Sequence, residues 1–368
     1  MECPFCFADQ CQSIEIPYTR FQHLGFENYY QNGKILRCSK CQLLSNILDA
    51  EKQSELNNIY ESLEYSEVRI TSQTYLTSEG KRVTRSYLQA EILSTYLESL
   101  PPPSVILDIG CFDGALLREL YKHYPQAQLH GFDVNRHVQS VFPQEKNFHF
   151  WRSELENITL NCDLICLSFS IFYIRDIAQL FSYFPKWLKP GGVIFIQTPN
   201  VITNPYSILL GDQYYYFTPT IFRNMFHRIG YEVQFIENPY FPRDLLVIAK
   251  QFNEIPQWQY EDDQSIYQCL EHLNQVKQKI NTLSQQHRIG VLGTTMTAAF
   301  VDSVLGDKNV FFVDENTSRI GSQFRGKRVL HPSSLDPDVS LILPYGASNQ
   351  KIKSRFTEEY QLTQFELV

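Results

Sequence analysis

An α/β fold of parallel sheets, preceded by a small metal-binding module, is predicted by three features of this sequence. The first is Val105-Ile-Leu-Asp-Ile-Gly-Cys-Phe-Asp-Gly-Ala-Leu-Leu117, an apolar run of strand type that breaks at Gly110 and Gly114 and continues at helical spacing. The second is the alternation of strand-like and helix-like segments that follows it, which implies a parallel sheet with helices on both faces. The third is a pair of C-x-x-C motifs near the amino terminus.

In the first stretch a strand, a tight turn and a helix amino terminus succeed one another. Backbone N–H groups and the positive end of the helix therefore face whatever lies on the turn. Glycine at 110 and 114 lets a ligand approach the backbone without meeting a Cβ. The pattern Asp108-x-Gly110-x-x-x-Gly114 is not the G-x-G-x-x-G of a dinucleotide site, because Phe112 and Asp113 fill its middle.

The chain has 368 residues, 43% of them hydrophobic, which is room for two or three domains. A formal charge of -8 argues against a nucleic-acid partner, which requires a basic face. No apolar run reaches the roughly 18 residues of a membrane span, and Met1-Glu-Cys-Pro does not read as a signal peptide. Nine cysteines, an odd number, do not look like a disulfide framework in a chain of this size. A reducing, cytoplasmic setting is expected.

Cys3-Pro-Phe-Cys6 is followed 32 residues later by Cys38-Ser-Lys-Cys41. Each pair can form a turn whose backbone amides point at its sulfurs. Four thiolates at this spacing fit a closed tetrahedral zinc site, the device that holds together a segment too small for a core of its own. A module over residues 1–50 is expected, with a hairpin in the long linker between the pairs and Cys11 and His23 as reserve ligands. The alternative is four unrelated cysteines.

Residues 51–80 read as a connecting loop or lid. Tyr60-Glu-Ser-Leu-Glu-Tyr65-Ser either lies beside a site or is a surface linker with ordinary tyrosines. Residues 81–100 form an amphipathic helix through Val83, Tyr87, Leu88, Ile92, Leu93 and Leu97, stopped by Pro101-Pro-Pro103. After the glycine strand, Gln128–Asp133 is a second strand ending in a carboxylate 23 positions beyond Gly110. A carboxylate at that tip can accept two hydrogen bonds from a ribose diol. Phe148–Glu154 is a third strand with Ser153 or Glu154 near an adenine edge, and Asp163–Ser168 a fourth whose carboxyl end faces the cleft. Trp187-Leu-Lys-Pro-Gly-Gly192 leads into the fifth, ending at Thr198-Pro-Asn200.

Leu107-Asp-Ile-Gly-Cys-Phe-Asp-Gly114, then Gly131-Phe-Asp133, then Leu188-Lys-Pro-Gly-Gly192 with Thr198-Pro-Asn200 resembles the class I S-adenosylmethionine-dependent methyltransferases over residues 81–250. The resemblance implies a Rossmann-like parallel-sheet methyltransferase domain in which Gly110 and Gly114 lie against the methionine part of the cofactor and Asp133 binds its ribose. Asp108, Cys111, Phe112, Val134, Ser153, Glu154 and Ser168 complete the expected pocket. Phe112 stands where many members have glycine. A dehydrogenase is the structural rival, and it lacks its third glycine here.

Asp212-Gln-Tyr-Tyr-Tyr-Phe-Thr-Pro-Thr220 resembles the region where many such enzymes place a substrate-facing histidine, and Gln213 occupies that position. An amide takes no proton at neutral pH, so Gln213 can orient a substrate but not act as general base. Asp212, Tyr216 and Tyr65 are the candidates for that role, against the alternative that the tyrosines are cleft-wall packing.

After a linker at 251–256, residues 262–286 form a long helix and Arg288-Ile-Gly-Val-Leu-Gly293 opens a second, small Rossmann-like domain over 262–368. Its Asp314 lies 21 residues beyond Gly293. The Gly293–Thr297 turn holds a phosphate or other polar group, or is a scaffold without a ligand. A zinc-binding start, a methyltransferase middle and this end together resemble the three-domain sugar C-methyltransferases. That likeness implies a nucleotide-linked ketosugar as small-molecule substrate, bound between the middle and last domains, and S-adenosyl-L-methionine and zinc as cofactors. Carbon becomes the nucleophile only when a base removes the proton beside a ketone and the enolate is stabilised. The absence of a histidine at 213 keeps open an oxygen or nitrogen acceptor, and also a regulatory protein that binds the cofactor without turnover.

Overall fold

The two cysteine pairs sit together at one end of a small antiparallel sheet. A computed structural model of the chain describes residues 2–17, 19–23, 26–30, 33–48, 50–62, 74–77, 79–152, 155–254, 257–283 and 289–368. β1 (Cys11–Ile16) leads into a hairpin of β2 (Thr19–His23) and β3 (Phe26–Tyr30), the one expected in the linker, followed by β4 (Gly33–Cys38) and β5 (Leu44–Asn46). Ile14, Ile16 and Ile35 point inward along β1 and β4.

The described residues of the connecting segment form regular elements. α1 (Ala50–Ser62) takes in Tyr60, expected in a loop, and β6 (Thr74–Leu76) pairs with β7 (Arg82–Thr84). Good helix formers at Glu51, Lys52, Gln53 and Leu56, with Leu56 buried, outweigh the weak apolar periodicity. The helix expected over 81–100 begins only after β7, as α2 (Arg85–Leu97), because Thr84 caps it by accepting from the Tyr87 N–H at 3.2 Å.

The strand–helix alternation builds the main sheet. β8 (Val105–Ile109), α3 (Ala115–His123), β9 (Gln128–Phe132), β10 (Phe148–Trp151), β11 (Cys162–Ser168), α4 (Ile177–Trp187) and β12 (Leu188–Pro199) follow in order. β13 (Tyr215–Tyr216) does not join this sheet but pairs with β5, giving the amino-terminal sheet its fourth strand. α5 (Pro219–Arg228), β14 (Tyr231–Phe235) and β15 (Asp244–Gln251) complete the domain. The seven strands lie in the order β10-β9-β8-β11-β12-β15-β14, with β10 to β12 parallel and β15 antiparallel to both its neighbours. The order reverses at β8, so the ligand crevice lies beyond the carboxyl ends of β8, β9 and β11. This is the expected α/β, Rossmann-like methyltransferase fold, with mixed rather than all-parallel strands.

α6 (Ser265–Leu283) buries Ile266, Cys269, Leu273, Val276 and Ile280 on one face. β16 (Ile289–Leu292), α7 (Met296–Leu305), β17 (Asn309–Val313), β18 (Gln323–Phe324), β19 (Lys327–Leu330), β20 (Ser340–Leu343), α8 (Asn349–Tyr360) and β21 (Phe365–Leu367) form a six-stranded sheet in the order β18-β19-β17-β16-β20-β21. The sequence reads this last third as a separate unit, yet its buried side chains join the same apolar cluster as Phe5, Phe181 and Phe226. The Cys269 thiol donates to the Val201 carbonyl, and Tyr206 meets Phe300 edge-on at 6.0 Å.

Candidate active site

Beyond β8 the turn takes three left-handed residues: Gly110 at φ +78°, Phe112 at +48° and Gly114 at +73°. Gly110 is required twice over, since a Cβ there would lie 2.4 Å from Cβ of Ser170. The Ser170 hydroxyl donates to the Ile109 carbonyl at 2.5 Å and fixes this contact. Phe112 turns its N–H onto Asp133 Oδ2 at 3.0 Å, and the Asn135 N–H reaches Oδ1 at 2.9 Å. Asp133 thus stands at the tip of β9 with its carboxylate oriented and acceptor capacity to spare. Cys111 is buried, its Sγ packed where a Cβ on Gly131 would lie. Val134 is 49% exposed beside Asp133. Ser153 and Glu154, expected at an adenine edge, lie outside the described residues.

Asp108 sits on the buried floor of this turn. Its Oδ1 is enclosed and has no hydrogen-bond partner among the described residues. Burial first, then the neighbouring Asp133 and Asp113 carboxylates, push its pKa up to about 8. An enclosed carboxyl group with an unused oxygen is complemented by a cation, and S-adenosylmethionine carries both a sulfonium and an ammonium. The residues present fit that cofactor.

Ser168 marks the other side of the crevice, and it leads to a chain of polar groups that the sequence did not disclose. Gln89 donates to Ser168 Oγ and to Gln197 Oε1, both at 2.7 Å, and Gln197 donates to Asp244 Oδ2 at 2.7 Å. Both glutamines are buried, so their amides depend on one another, on the Ser168 hydroxyl and on this carboxylate. Only the three-dimensional pairing of β12 with β15 brings Gln197 and Asp244 together.

The loop after Leu210 places Asp212 and Gln213 in the interior. Tyr60 and Tyr173 share a hydrogen bond, with ring centroids 4.7 Å apart, and the Asp212 carboxylate lies close enough to raise the pKa of both hydroxyls, after burial, the largest cause. Tyr216, expected as a candidate base, donates its hydroxyl to the Leu210 carbonyl at 2.7 Å. Burial, and then Asp212, hold its pKa well above 10, so it keeps its proton. Tyr65 lies outside the described residues. Asn46, absent from the sequence reading, donates through Nδ2 to the carbonyls of Gly211 (2.8 Å) and Gln213 (3.2 Å).

At the amino terminus the Sγ atoms of Cys3 and Cys41 lie 3.5 Å apart, as do those of Cys6 and Cys38, and all four are buried within 4.8 Å of one another. Zinc with bonds of about 2.3 Å spaces tetrahedral sulfurs about 3.8 Å apart, so the cluster fits it. The two C-x-x-C turns match. The N–H of Phe7 donates to Cys3 O and that of Gln42 to Cys38 O, each at 3.1 Å, and Phe7 (φ +59°) and Gln42 (+66°) are both left-handed. Cys11 directs its thiol to the Ala8 carbonyl and stands beside Cys38, next to the four-sulfur group but not one of it.

Residues 83–236 match the family model of a methyltransferase domain. That stretch is a class I S-adenosylmethionine-dependent methyltransferase domain. The chain is 30% identical over 117 residues to trans-aconitate 2-methyltransferase of Acidovorax sp. (strain JS42), covering 31% of this chain and 45% of the relative. It is 25% identical to the enzyme of that name from Deinococcus radiodurans, covering 27% of this chain and 39% of the relative. The chain therefore spans less than half the length of these curated relatives. Among solved structures it is similar to human N-acetylserotonin methyltransferase in complex with S-adenosylmethionine, at 22% identity over 45% of this chain and 51% of that one, with a TM-score of 0.37. A likeness of that degree adds nothing to the assignment. No described helix is long and apolar enough to cross a membrane.

Proposed function

We propose that the chain transfers a methyl group from S-adenosylmethionine to a carbon of a nucleotide-linked ketosugar, through its enolate. In this reading residues 1–50 hold a structural zinc ion on Cys3, Cys6, Cys38 and Cys41, residues 51–80 cover the site, residues 81–250 hold the methyl donor, and residues 262–368 wall the substrate cleft. Asp108 is the observation that carries the donor half, because a buried carboxyl group with an unused oxygen asks for a cation. The bound cofactor supplies an electrophilic methyl group on sulfur.

On the acceptor side the chain's own groups position and exclude. Gln213 orients the substrate through its amide, and the Asp212 carboxylate accepts the proton from the carbon beside the ketone, since Tyr216 is committed to Leu210. Tyr60 and Tyr173 keep water from the acceptor. Exposed Arg243 acts on the hydroxyls of both Tyr206 and Tyr345, lowering their pKa against the larger effect of burial. In this reading Arg243 is the cation that meets the diphosphate of the substrate. Gln213 also favours a second reading, an oxygen or nitrogen acceptor that loses its proton without a strong base, and relatives named for trans-aconitate methylation agree with it.

The experiment is methyl transfer from labelled cofactor to a panel of nucleotide-linked ketosugars and small carboxylic acids, trans-aconitate included, with the product located by NMR. Label on a sugar carbon is expected. Label in an ester or on nitrogen transfers the assignment to the second reading. Calorimetry that detects no S-adenosylhomocysteine binding overturns both, and binding without transfer to any acceptor leaves a cofactor-binding regulator.

A further inference from the structure

The turn that presents Asp212 and Gln213 is gripped from two sides. From the methyltransferase domain, the Tyr214 N–H donates to the Phe172 carbonyl at 2.8 Å. From the amino-terminal sheet, Asn46 makes three contacts: its backbone N–H donates to the Tyr214 carbonyl at 2.9 Å, and its Nδ2 donates to Gly211 O and Gln213 O. All three carbonyls belong to buried residues. Backbone carbonyls enclosed in this way need a partner, and losing one leaves the turn with an unsatisfied buried acceptor.

Asn46 is itself held by the cysteine cluster. It ends β5, a strand of three residues that starts three positions after Cys41. The Cys38 N–H donates to the Leu43 carbonyl at 3.0 Å, closing the loop that carries Cys41 into β5. Too short to persist alone, β5 takes its position from the cluster at one end, from β4 along one edge and from β13 along the other, and β4 in turn carries Cys38.

We propose that Asn46 is a positioning residue for the acceptor turn, through which the four-cysteine site sets the geometry of Asp212 and Gln213. This rests on reading that turn as the acceptor side and the cysteines as a metal site. The amino-terminal module then serves the methyl acceptor rather than the methyl donor, whose turn at 110–114 lies on other strands.

Hydrogen exchange read by mass spectrometry on the full chain tests it. Peptides spanning 205–218 are compared with peptides spanning 105–114 in wild type, in Asn46→Ala, in Asn46→Ser and in wild type treated with a zinc chelator. Asn46→Ala is expected to speed exchange at 211–216 about tenfold, with Asn46→Ser, which keeps one donor, in between. Bound zinc and S-adenosylhomocysteine affinity stay at wild-type values in both variants, which a general loss of structure would not allow. Chelation is expected to speed exchange at 211–216 while 105–114 stays protected. Wild-type exchange at 211–216 in Asn46→Ala, or protection there that survives removal of the metal, overturns the proposal. If Asn46→Ala does not fold, the serine variant and the chelated wild type decide. Protein that purifies without metal refutes the metal link, and the asparagine variants still judge the positioning role. Failure to bind S-adenosylhomocysteine refutes the methyltransferase reading and leaves the exchange result standing.

Discussion

Gly110 and Gly293 are turns of the same construction with different fates. Each ends a parallel strand flanked on both sides, β8 or β16, and each is left-handed, at φ +78° and +89°. The N–H of each donates to the last residue of the next strand, Phe132 at 2.8 Å or Val313 at 2.6 Å. Each faces an aspartate whose Oδ1 takes an N–H from two residues on, Asn135 onto Asp133 and Asn316 onto Asp314, both at 2.9 Å. There the likeness stops. Two positions before Gly110 stands buried Asp108, whereas two before Gly293 stands buried Val291. Asp133 Oδ2 accepts only a backbone N–H, from Phe112 at 3.0 Å, whereas Asp314 Oδ2 accepts the Thr294 hydroxyl at 2.8 Å and the Tyr345 hydroxyl fills the space where a Cβ on Gly293 would be. One glycine turn thus leaves a buried carboxyl oxygen unsatisfied, and the other is closed by its own side chains.

The comparison breaks most readily at the two aspartates. Asp133→Ala should weaken S-adenosylhomocysteine binding about 100-fold in calorimetry, the loss of two charge-assisted hydrogen bonds, while Asp314→Ala leaves it unchanged. Equal effects would make the two turns functionally alike.

Asp108 sharpens it through pH. The folded chain keeps a proton on this carboxyl group up to about pH 8, while the unfolded chain releases it near 4. The folded state binds more protons in that window, so Asp108 costs stability progressively as pH rises from about 4 to about 8. Asp108→Asn should therefore gain on wild type by about 2–5 kcal/mol in denaturant unfolding between those limits. It should also lose the rise in S-adenosylmethionine affinity that wild type shows over the same range, because the cation favours the ionised form.

The smallest effect is at the closed turn. Gly293→Ala forces Tyr345 aside and sets a Cβ on a left-handed backbone, at a cost of about 1–3 kcal/mol in thermal unfolding, with cofactor affinity unaltered.

The donor side was legible because its signals are local. Asp108, Gly110, Gly114 and Asp133 lie within two strand–turn units, where spacing alone implies geometry, and the cysteine pairs likewise carry their chemistry in four-residue motifs. The acceptor side depends on contacts between distant segments. β5 meets β13 across most of the methyltransferase domain, and Asn46 resembles any turn residue until that pairing is known. Gln89 and Gln197 look like surface amides, since neither helix nor strand period marks a polar group that is buried and satisfied. Tyr60 reads as a loop residue because α1 draws on intrinsic helix propensity rather than on an apolar stripe.

The pairing of β5 with β13 has a consequence for synthesis. The amino-terminal sheet borrows its last strand from Tyr215–Tyr216, so it cannot be completed until the ribosome has made about 170 residues beyond Asn46. At ~5–20 residues per second that is a wait on the order of ten to thirty seconds. During it four closely spaced thiols stand in a half-finished module, and an early metal ion would do more than tie up its ends: it would keep those sulfurs from oxidising before the rest of the protein arrives.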